Sequence, residues 1–231
     1  MGPAAGIRHH RVRGSAFRRG LNVPVAIAVK ICGITREQDA LAAAQAGAHA
    51  VGMVFHARSA RAIEVETARR IVSVLPAFVT PVALFVDPTA AEVERVIEEG
   101  RPQLLQFHGE ESPDFCRQFG MPYVKAVRVR LGVDLLQYAR LYADAKGLLL
   151  DAFVKGSHGG TGAAFDWDLI PQNVPLPVVL AGGLTPENVA QAVQKVRPWA
   201  VDVSSGVEAA KGIKDAAKIA AFIRGARDAD V

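Results

Sequence analysis

Two side chains close apolar runs where a packing residue is the ordinary choice. Cys32 ends the run 26–31, and Asp151 ends Leu148–Leu150. A thiol that loses its proton is a base or a nucleophile, and a carboxylic acid can deliver a proton. In an extended chain alternate side chains share a face, so Ala28, Lys30 and Cys32 point one way and Ile27, Val29 and Ile31 the other. An ammonium on the thiol's own face favours the thiolate. A lone buried cysteine is ordinarily inert packing, and an aspartate after a strand is ordinarily a loop cap. Taken together, the two residues offer a base and an acid on opposite sides of one mouth.

A second set of residues has the chemistry of anion binding. Gly159-Gly160-Thr161-Gly162, Ala181-Gly182-Gly183 and Ser204-Ser205-Gly206 each follow an apolar run. Glycine lets the backbone come close to an anion, so that successive N–H groups can cradle a phosphate. Turn glycines alone say little, but three such clusters after consecutive strands point to a phosphate site, with the loop containing Lys155 as a lid. Arg58 and Arg61 follow the run 50–55, and a guanidinium there can grip a carboxylate with two hydrogen bonds. His108, after Leu104–Phe107, is a site residue or a polar rim group. Asp202 shares the face of Ser204 and is expected to neutralise Lys30. Cys116 falls on a helical pattern and reads as packing.

These residues need a frame, and the chain repeats one. Apolar strands are expected at 26–32, 50–55, 81–86, 104–107, 123–129, 148–151, 178–181 and 199–203. Between them run helical patterns, with Thr35, Thr89 and Thr185 as caps and others starting at or near Ser112, Asp134 and Asp215. A short helix is expected near Trp167, in place of a long sixth one. Eight strand-then-helix units in about 205 residues match a single (β/α)8 barrel, with its chemistry at the carboxyl ends of the strands. A dinucleotide-binding sheet is disfavoured, because no Gly-x-Gly-x-x-Gly follows the first strand.

Composition narrows the class. Half of the 231 residues are hydrophobic, ample for a large core. No apolar run reaches the roughly 20 residues of a membrane span. The net charge of +4 comes from residues 1–24, which hold five arginines and no acid. The remaining 22 basic and 23 acidic side chains give −1, which offers no warrant for nucleic-acid binding. Residues 1–24 are read as a disordered basic extension, over a targeting peptide or untranslated leader, and 25–231 as the barrel. Two cysteines without metal-site or disulfide spacing fit a reducing compartment, and hence the cytoplasm.

Five motifs in chain order carry a resemblance. They are Lys30-Ile31-Cys32-Gly33-Ile34-Thr35, Leu105-Gln106-Phe107-His108-Gly109-Glu110, Gly159-Gly160-Thr161-Gly162 with Phe165-Asp166-Trp167, Leu180-Ala181-Gly182-Gly183-Leu184, and Val201-Asp202-Val203-Ser204-Ser205-Gly206-Val207-Glu208. From about residue 26 to 226 the chain resembles the phosphoribosylanthranilate isomerases of tryptophan biosynthesis. It departs at Ala60 and Ala62, where the family has a proline or lysine before Arg61 and an aromatic after it. It departs again at Met53, where phenylalanine is usual.

The resemblance implies a TIM barrel of the ribulose-phosphate-binding type and an Amadori rearrangement without cofactor or metal. Asp151 would protonate the ribose ring oxygen, and Cys32, as thiolate, would take the proton from ribose C2. Arg61 would hold the anthranilate carboxylate. His108, Gly160, Thr161, Gly162, Gly182, Gly183, Ser204, Ser205 and Gly206 would line the phosphate and ribose side. The expected partner is the small-molecule substrate alone, with no nucleic acid and no membrane, and with a monomer preferred to a homodimer. Three rivals stand beside this. Indole-3-glycerol-phosphate synthase would show a lysine acid and a glutamate base, and a histidine-pathway sugar-phosphate isomerase an aspartate in place of Cys32. A non-catalytic phosphate-binding barrel would need neither Cys32 nor Asp151.

Overall fold

In a computed structural model, which describes residues 26–151 and 167–229, the strands close into a barrel of eight parallel strands. They are β1 Ala28–Cys32, β2 Ala50–Val54, β3 Thr80–Phe85, β4 Leu104–Phe107, β5 Tyr123–Arg128, β6 Leu148–Asp151, β7 Val178–Ala181 and β8 Ala200–Val203. Each pairs with the next in register, and β1 closes on β8 with Lys30 opposite Asp202. Crossovers are supplied by α1 Glu37–Ala46, α2 Val65–Val74, α3 Ala90–Arg95 (continued by a π-turn over Val96–Gly100), α4 Pro113–Arg117, α5 Leu135–Leu141 and α6 Val189–Val196. After β8 come two short antiparallel strands, β9 Glu208–Ala210 and β10 Ile213–Lys214, and then α7 Ala216–Asp228.

Alternation along each strand divides the core in two. Outward-facing Ile27, Val29, Ile31, Val51, Met53, Leu148, Leu150 and Val201 pack beneath the helices. Met53 is fully buried in that shell, so its departure from phenylalanine concerns helix packing and not the mouth. Around β3 and β4 the shell is aromatic, with Phe55, Phe85 and Phe107 stacked in sequence. The interior is filled lower down by small apolar residues, among them Ala126, Leu149, Val179, Ala181 and Ala200. Higher up it turns polar, with Lys30, Gln106 and Asp202 all buried.

Several expected helix starts hold. Thr89 makes a capping box with Glu92, and Ser112, Asp134 and Asp215 each accept hydrogen bonds from backbone N–H groups of the helix they open. Two do not. Thr35 donates its hydroxyl to Gly212 O, which leaves Arg36 as the N-cap of α1 with no side-chain cap bond. Thr185 stands one turn early: its N–H donates to Asn188 Oδ1, and α6 begins after Asn188. Among the described residues the crossover after β6 contains only a single 3₁₀ turn, Trp167–Leu169. The β9–β10 pair was not expected from the sequence.

Candidate active site

The carboxyl ends of the strands surround a cavity of about 360 Å³. Cys32, Arg61, His108, Asp151, Gly182, Gly183, Ser204 and Ser205 all line it, as do Gln106 and Asp202. Gly206 does not. A Cβ there would sit 2.0 Å from Leu184 O, so this glycine is required by the close approach of two backbone segments. Arg58 is exposed and outside the lining, and Cys116, on α4, is buried in the core as packing. Gly160, Thr161, Gly162 and Lys155, with the lid expected there, lie outside the described residues, as do residues 1–24.

On β1, Lys30 and Cys32 point inward as the alternation requires. Lys30 Nζ donates to Asp202 Oδ1 across the β1–β8 seam at 2.9 Å, the pairing expected from the sequence. Burial works against charge on this lysine, yet Asp202 and then Cys32 hold its pKa above the ordinary lysine value. The space above the pair exists because β2 carries Gly52. A Cβ at that position would lie 2.8 Å from Cys32 Sγ and 2.9 Å from Lys30 Nζ.

The environment shifts the Cys32 thiol in the direction opposite to the one expected from Lys30 alone. Burial pushes the Cys32 thiol up, and the Lys30 ammonium beside it pulls it down by less; Asp202 adds to the rise. Desolvation disfavours the anion wherever a single cation cannot repay lost water. In the protein alone, the net effect on Cys32 is a rise above the ordinary thiol value.

Arg61 reaches the cavity by a route the sequence did not reveal. Its Nε and Nη2 donate to the two carboxylate oxygens of Glu208 at 2.6 and 2.8 Å, a fork across 147 residues of chain. Lys214, on β10, donates to the same carboxylate at 3.0 Å and to Ser204 O. Burial lowers the Lys214 pKa by more than Glu208 raises it. Burial alone would raise Glu208, but the hydrogen bonds from Arg61 and Lys214 hold it below the usual carboxylate range. Two cations share one anion, so the Arg61–Glu208–Lys214 cluster is itself net positive. The guanidinium has five N–H groups, and only two go to Glu208.

Asp151 closes β6 opposite the thiol's side of the mouth, with its Oδ2 3.1 Å from His108 Nε2. The other ring nitrogen of His108 lies 3.0 Å from Gln106 Nε2. The loop carrying His108 is anchored from below. Buried Lys125 donates to Glu111 at 2.8 Å and to the carbonyl of Gly109, while Glu111 accepts the backbone N–H groups of Gly109 and Asp87. Gln106, Glu208, Lys214 and Gly52 all have roles at the mouth that the sequence reading did not single out. The available signals were a glutamine and a glycine inside apolar strands.

After β7, Gly182 and Gly183 both adopt left-handed backbone conformations, at φ 82° and 64°. They face Ser204 and Ser205 at the end of β8, so two of the three expected glycine clusters meet at one side of the cavity.

Comparison with known proteins agrees with this geometry. Residues 29–225 match the family model for N-(5'-phosphoribosyl)anthranilate (PRA) isomerase. The N-(5'-phosphoribosyl)anthranilate isomerase of Nitrosospira multiformis is 63% identical over 201 residues, covering 87% of this chain and 97% of that protein. A crystal structure of the phosphoribosyl anthranilate isomerase from Thermotoga maritima superposes with a TM-score of 0.80 at 42% identity, covering 87% of this chain and 99% of that one. Another, of a phosphoribosyl anthranilate isomerase in complex with reduced 1-(o-carboxyphenylamino)-1-deoxyribulose 5-phosphate, superposes with a TM-score of 0.77 at 41% identity, with the same coverage. The chain belongs to the N-(5'-phosphoribosyl)anthranilate isomerase family.

Proposed function

We propose that the chain converts N-(5'-phosphoribosyl)anthranilate into 1-(2-carboxyphenylamino)-1-deoxy-D-ribulose 5-phosphate, an aldose-to-ketose isomerisation in tryptophan biosynthesis, with Asp151 as general acid and Cys32 as general base. The observation that carries the reading is the placement of both residues on one cavity, between a guanidinium and a pair of glycine-serine loops. Arg61 receives the anthranilate carboxylate on the N–H groups that Glu208 leaves open. Gly182, Gly183, Ser204 and Ser205 receive the phosphate, on the side of the barrel where such groups are characteristically bound. This pins the two ends of the substrate and holds the ribose between acid and base.

The electrostatics of Cys32 set the order of events. Asp151 first protonates the ring oxygen, and the ring opens to an iminium. That cation, formed next to the buried thiol, favours the thiolate by direct Coulomb attraction. Cys32 gives its thiol proton to solvent and, as the thiolate, takes the C2 proton, while the electrons of the C–H bond flow into the iminium to give an enolamine, which tautomerises to the ketone. Both steps move protons only, so no cofactor enters the reading. The cytoplasm and a monomeric working unit go with it.

Turnover of freshly generated phosphoribosylanthranilate, followed by the loss of its anthranilate-type fluorescence, tests this. Cys32→Ser and Asp151→Asn should each fall by about 100-fold or more. A wild type that binds the reduced product analogue without turning substrate over would replace the enzyme with a phosphate-binding barrel. Full activity in Cys32→Ser would remove the thiol from the mechanism.

A further inference from the structure

Gln106 is an unusual residue for its position. It lies inside a central strand of the barrel, fully buried, yet it lines the cavity. Its Nε2 is 3.0 Å from His108 Nδ1, and its Oε1 is buried with no hydrogen-bond partner among the described residues. A buried acceptor left unpaired is costly, and where a native structure tolerates one a functional constraint is the usual reason. The amide is held in an orientation that satisfies its donor end at the expense of its acceptor end.

That orientation fixes a proton. An amide N–H can donate to Nδ1 only if Nδ1 carries a lone pair, so this contact fits a ring whose single proton is on Nε2. The Nε2–H then donates to Asp151 Oδ2, 3.1 Å away. With Oδ2 engaged as an acceptor, a proton held by Asp151 belongs on Oδ1. An imidazolium would set N–H against N–H at Gln106. We propose that Gln106 is a positioning residue for the acid step: it locks His108 in the Nε2–H tautomer, and His108 in turn orients the carboxyl of Asp151 so that Oδ1 carries the transferable proton. This rests on Asp151 being the general acid.

The substitutions that separate the roles are Gln106→Glu and Gln106→Met, both close in volume to glutamine. Glutamate offers only acceptors to Nδ1, which draws a proton onto that nitrogen and turns the ring into an imidazolium. Methionine offers no donor and leaves both tautomers open. The ¹⁵N resonances of His108, recorded on the whole protein without substrate and assigned by comparison with His108→Asn, report the ring state directly. The wild type should show a pyrrole-like Nε2 and a pyridine-like Nδ1, Gln106→Glu two protonated nitrogens, and Gln106→Met averaged shifts. Turnover by both variants should lose about tenfold or more in kcat, with KM held within about threefold, as expected when a catalytic group is misoriented and substrate binding is not. A wild-type ring protonated on Nδ1, or Gln106→Met with wild-type kcat, overturns the proposal. Wild-type kcat in Asp151→Asn would instead overturn the assignment of the acid, and the ¹⁵N spectra would still report whether Gln106 sets the tautomer.

Discussion

Replacing Lys30 by methionine removes the ammonium and leaves the Asp202 carboxylate, 7% exposed, inside the barrel without its 2.9 Å partner. Breaking a buried ion pair from one side costs about 3–5 kcal/mol, because an uncompensated charge stays behind. For a domain of this size each kcal/mol moves the melting temperature by about 2–4 °C, so Lys30→Met should melt about 6–20 °C below wild type. The same change acts on Cys32, whose thiol feels Lys30 more strongly than Asp202. Each unit by which its pKa rises cuts the thiolate fraction at neutral pH about tenfold. The double variant Lys30→Met/Asp202→Leu separates the two effects. Removing both charges should recover most of the lost stability, while alkylation of Cys32 by iodoacetamide, read site by site by mass spectrometry, stays below wild type. Thermal unfolding by circular dichroism supplies the first readout. Lys30→Met melting within about 2 °C of wild type, well under one pair's worth, would refute the account of the seam. Wild-type alkylation in the double variant would refute the influence of Lys30 on the thiol.

Two other outcomes follow from the same geometry. Gly52→Ala puts a methyl 2.8 Å from Cys32 Sγ and 2.9 Å from Lys30 Nζ; overpacking of this kind costs about 1–3 kcal/mol. Thermal melting should show that loss, with a drop in turnover larger than the melting shift explains, and unchanged turnover would mean that the thiol has room to move. At alkaline pH, burial holds the Cys116 thiol up at about 12 and raises that of Cys32, against an ordinary value of 9.0. Above pH 9 the unfolded chain gives up thiol protons that the native state keeps, so the cysteines' contribution to stability is flat below pH 9 and falls above it. Lys214, lowered by burial, works in the opposite sense below 10.5 in every variant. Replacing both cysteines by alanine should therefore move the onset of the decline from about pH 9 to about pH 10, where the buried Tyr123 and Tyr142, ordinarily 10.0 and also raised by burial, take over. Urea midpoints measured against pH check this, and an onset that stays at pH 9 would refute it.

The frame was legible because it depends on short-range pattern. Each strand was an apolar run, and Thr89, Ser112, Asp134 and Asp215 open helices by local hydrogen bonds that need only a few residues. Thr35 has the same local credentials, but its hydroxyl is claimed by Gly212, 177 residues away, and no local rule anticipates that. Cys32 and Asp151 were singled out because their chemistry is out of place at strand ends, and Arg61 because a guanidinium in the loop after a strand can grip a carboxylate. The partners that tune them were not, because Glu208 meets Arg61 only when the last crossover folds over the mouth, and Gln106 reads as an ordinary polar residue until its neighbours are known. The direction of the Cys32 shift was missed for a related reason: a nearby lysine is visible in sequence, while the amount of water excluded from the thiol is not.

The pairing of Lys30 with Asp202 also bears on how the molecule is made. The two residues are 172 positions apart, on the first and last strands of the barrel. A ribosome adding about 5–20 residues per second needs roughly 10–35 s to bring the second into existence after the first. Through that interval the ammonium lacks the carboxylate that it meets in the finished barrel, so drying the inner face of β1 before then would carry the uncompensated cost of burying a charge. The eighth strand removes that cost by bringing the counter-ion.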